Sequence, residues 1–352
     1  MEKPKFKFLI YVGQVFGFPI ARPLQAEIKK RGFEVAWFNE IPSNNQYIKK
    51  GERFLKTVES VMEYCPDVVL VATDLVPSFF PGIKVQIFHG FPANKRKGTD
   101  QFIIRGFYDL YCTQGPTSTL VFKEKSCKLK HFEVVETGWS KMDPLFPLIK
   151  RVPNKKPVIL VSSTFTKKYS LAFNPEVVRE LKNLSKIGKW HFDVVLHPLI
   201  SKEVKEEFKA MQNENFVYHD TTDLIPLFKK SDVMLCDTSS ALIEYQLQNK
   251  PVVTFRNNMP LPSYYNITDV SEIEQAITTT LTRPGNLMKE IEKYTNESHP
   301  YFDGKSSERV IDACVDFLEN KKVKRKPLNL IRKYKMRKKL NYFKFFNKKC
   351  MK

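Results

Sequence analysis

Strand-length apolar runs alternate with helical patterns along this chain, and the alternation happens twice. Residues 8–12, 34–38, 68–72, 84–88, 110–113 and 131–135 read as strands, with helices over 20–30 and 54–64. Pro144, Pro147, Pro153 and Pro157 then punctuate a stretch that also holds Lys150, Arg151, Lys155 and Lys156, the best linker in the chain. After it, strands read at 158–162, 192–196, 216–218, 233–236 and 252–255. Helices read at 175–187, 202–211, 240–248 and 270–281. Strands spaced by crossover helices make parallel sheets. The expectation is therefore two doubly wound Rossmann-like α/β domains, 1–148 and 149–320, facing a central cleft, with a separate tail over 321–352.

The charge belongs mainly to that tail. The 352 residues carry a net +20, but 321–352 holds 15 Lys and Arg and no acidic residue, leaving +5 for the rest. No apolar run approaches the roughly 18 residues of a membrane-spanning helix. The first residues lead straight into a strand without the pattern of a signal peptide. Six scattered cysteines form no CxxC pair, so neither a zinc site nor a disulfide framework is expected, and a reducing cytoplasm fits best.

The most informative stretch is 231–245. Val233 to Cys236 is the length of a strand buried on both faces, Asp237-Thr238-Ser239-Ser240 breaks it, and a helix follows. Ligands bind beyond the carboxyl ends of such strands, where a helix start offers free amides. Ser239 and Ser240 are placed to hold a phosphate; equally, they are favoured residues for an ordinary helix cap. His89-Gly90 and His197-Pro198 each end a strand, one per domain. Histidine there can take a proton or steady a phosphate, or simply hydrogen-bond the fold. Lys141 follows Gly138 and can meet a phosphate, while Asp143 can cap a short helix. Lys95-Arg96-Lys97 is either an anion-binding loop or a solvated charge run. Gly13-Gln14-Val15-Phe16-Gly17 lacks the GxGxxG spacing. Without that spacing a nicotinamide enzyme fits poorly, and no GxxxxGK[ST] loop or GxSxG elbow occurs either.

These pieces together resemble the CDP-glycerol glycerophosphotransferases, the teichoic-acid primases and polymerases of GT-B fold. The resemblance rests on His89-Gly90, Gly138-Trp139-Ser140-Lys141-Met142-Asp143, Leu196-His197-Pro198, Ser231-Asp232, Asp237-Thr238-Ser239-Ser240 and Phe302-Asp303-Gly304-Lys305-Ser306-Ser307-Glu308-Arg309. It covers roughly 85 to 310. It implies transfer of glycerol phosphate, or a related polyol phosphate, from a CDP-activated donor to a hydroxyl of a membrane-linked glycan. His89 and His197 would be catalytic, and Ser239 and Ser240 would hold donor phosphates. Two departures stand out: Lys141 sits where the family has Arg, losing the planar fork, and Thr238 often matches an aromatic residue. A related group, the UDP-N-acetylglucosamine 2-epimerases, has glycines where this chain has Ser239-Ser240.

The resulting expectation assigns His89 as base and His197 as phosphate stabiliser, with the roles exchangeable on sequence alone. Ser239, Ser240, Thr238 and Lys141 serve the donor phosphates; Asp237 and Glu244 serve its nucleotide or ribose. Gly90, Lys95 and Arg96 lie on the acceptor side. No metal or cofactor is expected, and no nucleic-acid partner, since the body holds no recognised nucleic-acid module. The tail, with Leu330, Ile331, Tyr334 and Phe343 among its cations, is expected to hold the protein peripherally on the anionic cytoplasmic face of the membrane. The rival readings are a GT-B glycosyltransferase using another nucleotide sugar and a non-catalytic polyanion-binding scaffold.

Overall fold

The computed structural model describes residues 5–91, 102–148 and 154–344. They form two units. The first unit takes in 5–89, 102–144 and 303–344; the second takes in 90–91, 145–148 and 154–302.

In the first unit the order is β1 (Lys7–Val12), α1 (Gly17–Lys30), β2 (Glu34–Asn39), α2 (Val58–Tyr64), β3 (Val68–Val71) and β4 (Ile83–Gln86). β5 (Leu110–Thr113), α3 (Pro116–Leu129) and β6 (Glu133–Glu136) complete the sheet. Its strands run parallel in the order β2-β1-β3-β4-β5-β6. All four residues of β3, Val-Val-Leu-Val, are buried, as expected of a strand covered on both faces. An aromatic cluster including Tyr11, Phe38, Phe80, Tyr111 and Phe122 fills the core.

The second unit runs β7 (Val158–Ser163), α4 (Pro175–Ile187), β8 (His191–Leu196), α5 (Lys202–Ala210), β9 (Phe216–Tyr218) and α6 (Ile225–Lys230). β10 (Val233–Cys236), α7 (Ala241–Gln246), β11 (Val252–Phe255), β12 (Tyr265–Ile267), α8 (Ile273–Leu281) and α9 (Gly285–Ser298) follow. The parallel sheet has the order β12-β11-β10-β7-β8-β9. Each sheet therefore reverses direction of growth beside its first strand, between β1 and β3 in one and between β7 and β10 in the other. Crevices at such reversals are the binding places of open α/β sheets.

Two expectations about the carboxyl-terminal part are corrected. The second domain was expected to run to residue 320, but α10 (Ser306–Asn320) belongs to the first unit. It packs along α1 through buried Val310, Ile311, Cys314 and Phe317, and Arg31 reaches Asp312 at 2.5 Å. The segment beyond 320 is not a detached tail: within the described residues it lies on the first unit and forms α11 (Leu330–Lys339). Lys326 Nζ sits 2.6 Å from the buried Asp109 carboxylate, Asn329 Nδ2 donates to Arg105 O at 2.7 Å, and Tyr342 stacks on Phe79. Beneath Asp109 lies Lys84, fully buried, its ammonium donating to the carbonyls of Phe80 and Gly82. Burial, and then Lys326 nearby, push its pKa down to about 7.

Cys65 is disulfide-bonded, where no disulfide framework was expected. Cys112, Cys127, Cys236 and Cys314 are free. No helix among the described residues is long and apolar enough to cross a membrane.

Candidate functional site

In the first unit, the chain leaves β4 and turns sharply at Phe88, a non-glycine residue at φ +56°. Left-handed backbone at a bulky residue is strained and clusters at functional sites. Packing of the Phe88 ring against Phe122 supports the turn, and it presents His89 at the surface. His89 Nδ1 lies 3.1 Å from the carbonyl of Ala72, just past β3. A carbonyl only accepts, so Nδ1 carries the proton, and in the neutral ring Nε2 is the free lone pair. That is the form of a general base.

The segment 138–143 also ties the fold together. Lys141 Nζ lies 5.2 Å from the Trp139 ring centroid. The buried Asp143 carboxylate accepts the backbone N–H groups of Ser306 at 2.8 Å and Ser307 at 2.7 Å, the first turn of α10. Burial pushes its pKa up, against the pull of those two amides. Two motifs far apart in sequence are thus one latch that seats α10.

In the second unit, the β7–β10 crevice is built around Asp237, the residue after β10. It is fully buried, and its carboxylate accepts from Ser163 Oγ at 2.6 Å, Thr164 N at 3.0 Å and Leu171 N at 3.0 Å. These bonds hold the loop that leaves β7. Expected to face a ribose, Asp237 instead points into the fold and anchors the loop after β7. Thr238 Oγ1 accepts from Asn258 N at 3.1 Å, tying in the loop after β11. Glu244 is buried rather than solvent-facing.

Ser239 and Ser240 remain half-buried on the rim of that turn. Ser239 Oγ accepts weakly from Ala241 N at 3.3 Å, and Ser240, at the cap position of α7, makes no side-chain cap bond. The capping explanation therefore covers Ser239 in part and Ser240 not at all. Gly90 is drawn close to the same turn: a Cβ added there would lie 3.5 Å from Ser240 Oγ. At the end of β8, His197 Nδ1 accepts the backbone N–H of Leu199 at 3.1 Å. Its neutral tautomer therefore carries the proton on Nε2, the reverse of His89. Its ring packs on Phe165, 4.5 Å between centroids. Lys95 and Arg96 lie outside the described residues. The other histidines serve the fold: His219 and His191 lie 2.8 and 3.4 Å from the buried Asp193, and His299 packs against Phe91 and Phe146. Among the described residues no group of three or more His, Cys, Asp or Glu is placed to hold a metal ion.

The chain is similar to known proteins in both halves. It is 25% identical over 323 residues to the teichoic acid poly(ribitol-phosphate) polymerase of Bacillus spizizenii, covering 76% of this chain and 50% of that protein. This chain thus spans about half the length of that relative. The fold matches the wall teichoic acid polymerase TagF (H444N variant) with a TM-score of 0.66, 15% identity and 90% coverage of each chain. Both likenesses point to teichoic-acid polymerases, the second at the level of the fold. The UDP-N-acetylglucosamine 2-epimerase family model also matches, over residues 164–315, less than half of the chain. A putative epimerase from Listeria monocytogenes shares the fold at a TM-score of 0.60, with 14% identity over 91% of this chain and 98% of that one.

One set of residues in the second unit escaped the sequence reading. Lys167, Lys168 and Arg256 line a cavity of about 400 Å³ in the second unit, together with Tyr169, Ser170 and Asn174. They follow β7 and β11, so they sit at the same edge of the sheet as the Asp237 turn. Arg256 adopts φ +48° and donates to Thr268 O at 2.8 Å. The signal available in sequence was placement alone: basic residues immediately after predicted strands.

Proposed function

We propose that the chain transfers a polyol phosphate from a CDP-activated donor to a hydroxyl of a membrane-linked polymer. The observation that carries this reading is the opposite hydrogen-bond polarity of the two strand-end histidines. His89, with Nδ1–H held by Ala72 O, has Nε2 ready to accept the acceptor hydroxyl's proton. His197, with Nδ1 accepting from Leu199 N, presents Nε2–H as a donor. In the reaction, the acceptor oxygen bonds to the polyol-bearing phosphorus, the pyrophosphate P–O bond breaks, and the proton passes to His89. CMP leaves, its developing charge met by His197 Nε2–H and the Ser239 and Ser240 hydroxyls. No metal is assigned a role. Similarity to a poly(ribitol-phosphate) polymerase and to TagF supports the reaction class.

The location proposed is peripheral, on the cytoplasmic face of the membrane. Leu328, Leu330, Ile331 and Tyr334 are 59–74% exposed amid the cations of 321–339. Apolar side chains can enter the interface there while lysines and arginines meet anionic headgroups. Replacing Leu330, Ile331 and Tyr334 together by Ser should abolish sedimentation with anionic vesicles and spare CDP binding. Undiminished sedimentation would remove the anchor.

The epimerase model's match to 164–315 favours a second reading, a UDP-sugar enzyme. Incubation with CDP-glycerol or CDP-ribitol and a lipid-linked acceptor should release CMP. Conversion of UDP-N-acetylglucosamine without CMP release would replace the transferase reading, and neither activity would favour a binding scaffold.

A further inference from the structure

The first unit holds a cavity of about 510 Å³ at the carboxyl ends of β1, β2 and β3, the place where its sheet reverses. Its floor is Gly13, where the chain leaves β1 so close to Thr73 that an added Cβ would lie 3.1 Å from the threonine hydroxyl. Glu40 and Asp74 bring two carboxylates. The remaining wall comes from the other end of the sequence: Arg332, Lys335 and Lys339 of α11 line the cavity. Their spacing of three and four puts them on one helical face, and buried Met336 beside them seats the helix.

The charges are not evenly committed. Lys339 pairs with Glu40, and Arg105, also lining the cavity, pairs with Asp74 at 3.1 Å. Arg332 and Lys335 are exposed and make no ion pair with a described residue. The lining thus carries two cations beyond charge balance, beside carboxylates and a hydroxyl. A bare anion would use only the two uncommitted cations; a neutral polyol would leave them unused. A phosphate ester with free hydroxyls satisfies both, the cations meeting phosphate oxygens and the carboxylates accepting hydroxyl protons.

We propose that this cavity, walled by α11, binds a phosphodiester bearing free polyol hydroxyls. Resting on the transferase reading, that ligand is the growing end of the acceptor polymer, and α11 carries the acceptor's binding residues on one face and exposed apolar side chains on the other. The same chemistry also occurs in the headgroup of a glycerol phospholipid.

The probe is glycerophosphoglycerol, which is soluble and common to both sources, titrated into the full chain by calorimetry. Arg332→Ala with Lys335→Ala should weaken its binding at least tenfold and leave CDP binding unchanged, which also reports an intact fold. Equal binding by wild type and variant, or no binding at millimolar probe where CDP binds, would overturn the proposal. Two further arms separate the sources. A raised acceptor KM at unchanged kcat in the variant identifies the polymer end. Preference for phosphatidylglycerol over phosphatidylserine vesicles, lost in the variant, identifies the lipid headgroup. If the titration succeeds but no CMP is released from CDP-polyols, the cavity stands and the transferase reading falls.

Discussion

The two sheet-reversal crevices obey one topological rule and are finished in opposite ways. In the second unit the crevice between β7 and β10 is braced from within, by a buried carboxylate one residue past the strand. In the first, the crevice between β1 and β3 stays open and receives its third wall from α11, some 250 residues and more along the chain. The topology sets where a ligand can bind, and the satisfied or unsatisfied state of the polar groups there sets what binds. A turn that spends its carboxylate on a neighbouring loop's amides and hydroxyl leaves neutral hydroxyls at the rim. A cavity walled by helix cations keeps charge for a ligand.

The comparison can be broken most forcefully at Asp237. Asp237→Ala leaves two buried backbone N–H groups, those of Thr164 and Leu171, without their acceptor, each worth about 1–3 kcal/mol, so the second unit should lose about 3 kcal/mol or more in denaturant unfolding. A loss under 1 kcal/mol would mean that the crevice is not held from within. A smaller loss, about 2 kcal/mol, is expected for Asp143→Ala, which strips α10 of its cap. Since α10 precedes α11, that variant should also loosen the open cavity, read as faster amide exchange in 330–339. Ser239→Ala with Ser240→Ala should leave stability alone and weaken CDP roughly tenfold, near 1.4 kcal/mol, with cytidine binding unchanged. Equal losses for both ligands would deny the rim its phosphate role.

A pH slope is expected as well. Lys84 has its pKa lowered to about 7 in the folded chain, while the unfolded chain keeps the ordinary value near 10.4. Between these values the unfolded state binds more protons, so stability rises with pH. The useful window is pH 7 to about 8.5, below the ordinary cysteine range. Unfolding midpoints should climb across it, and Lys84→Met should flatten the climb.

What the sequence revealed depended on how local each cause was. α4 is read at its observed bounds because all its signals are adjacent: Asn174 caps it, Pro175 starts it, and Gly188 ends it at φ +73°. The strand-end positions of His89 and His197 were legible for the same reason. α10 was assigned to the wrong unit because its cap, Asp143, lies 163 residues away from Ser306. α11 was not read as a helix, its apolar residues fitting no clean face; its face is defined by cations on a cavity and by Met336. The inward turn of Asp237 was equally hidden. An acidic residue after a strand serves a ligand or the fold depending on donors such as Leu171 N, 66 residues before it.

The roles of the histidines rest on tautomers, so the most direct test uses a side chain that can donate but not accept a proton. A glutamine amide imitates Nε2–H and has no basic nitrogen. CMP release from CDP-polyol and a lipid-linked acceptor should fall about 100-fold or more in His89→Gln, the usual worth of a positioned base. In His197→Gln it should stay within about tenfold of wild type. Equal losses in the two variants, or the larger loss at His197, would contradict the assignment of His89 as base and His197 as donor.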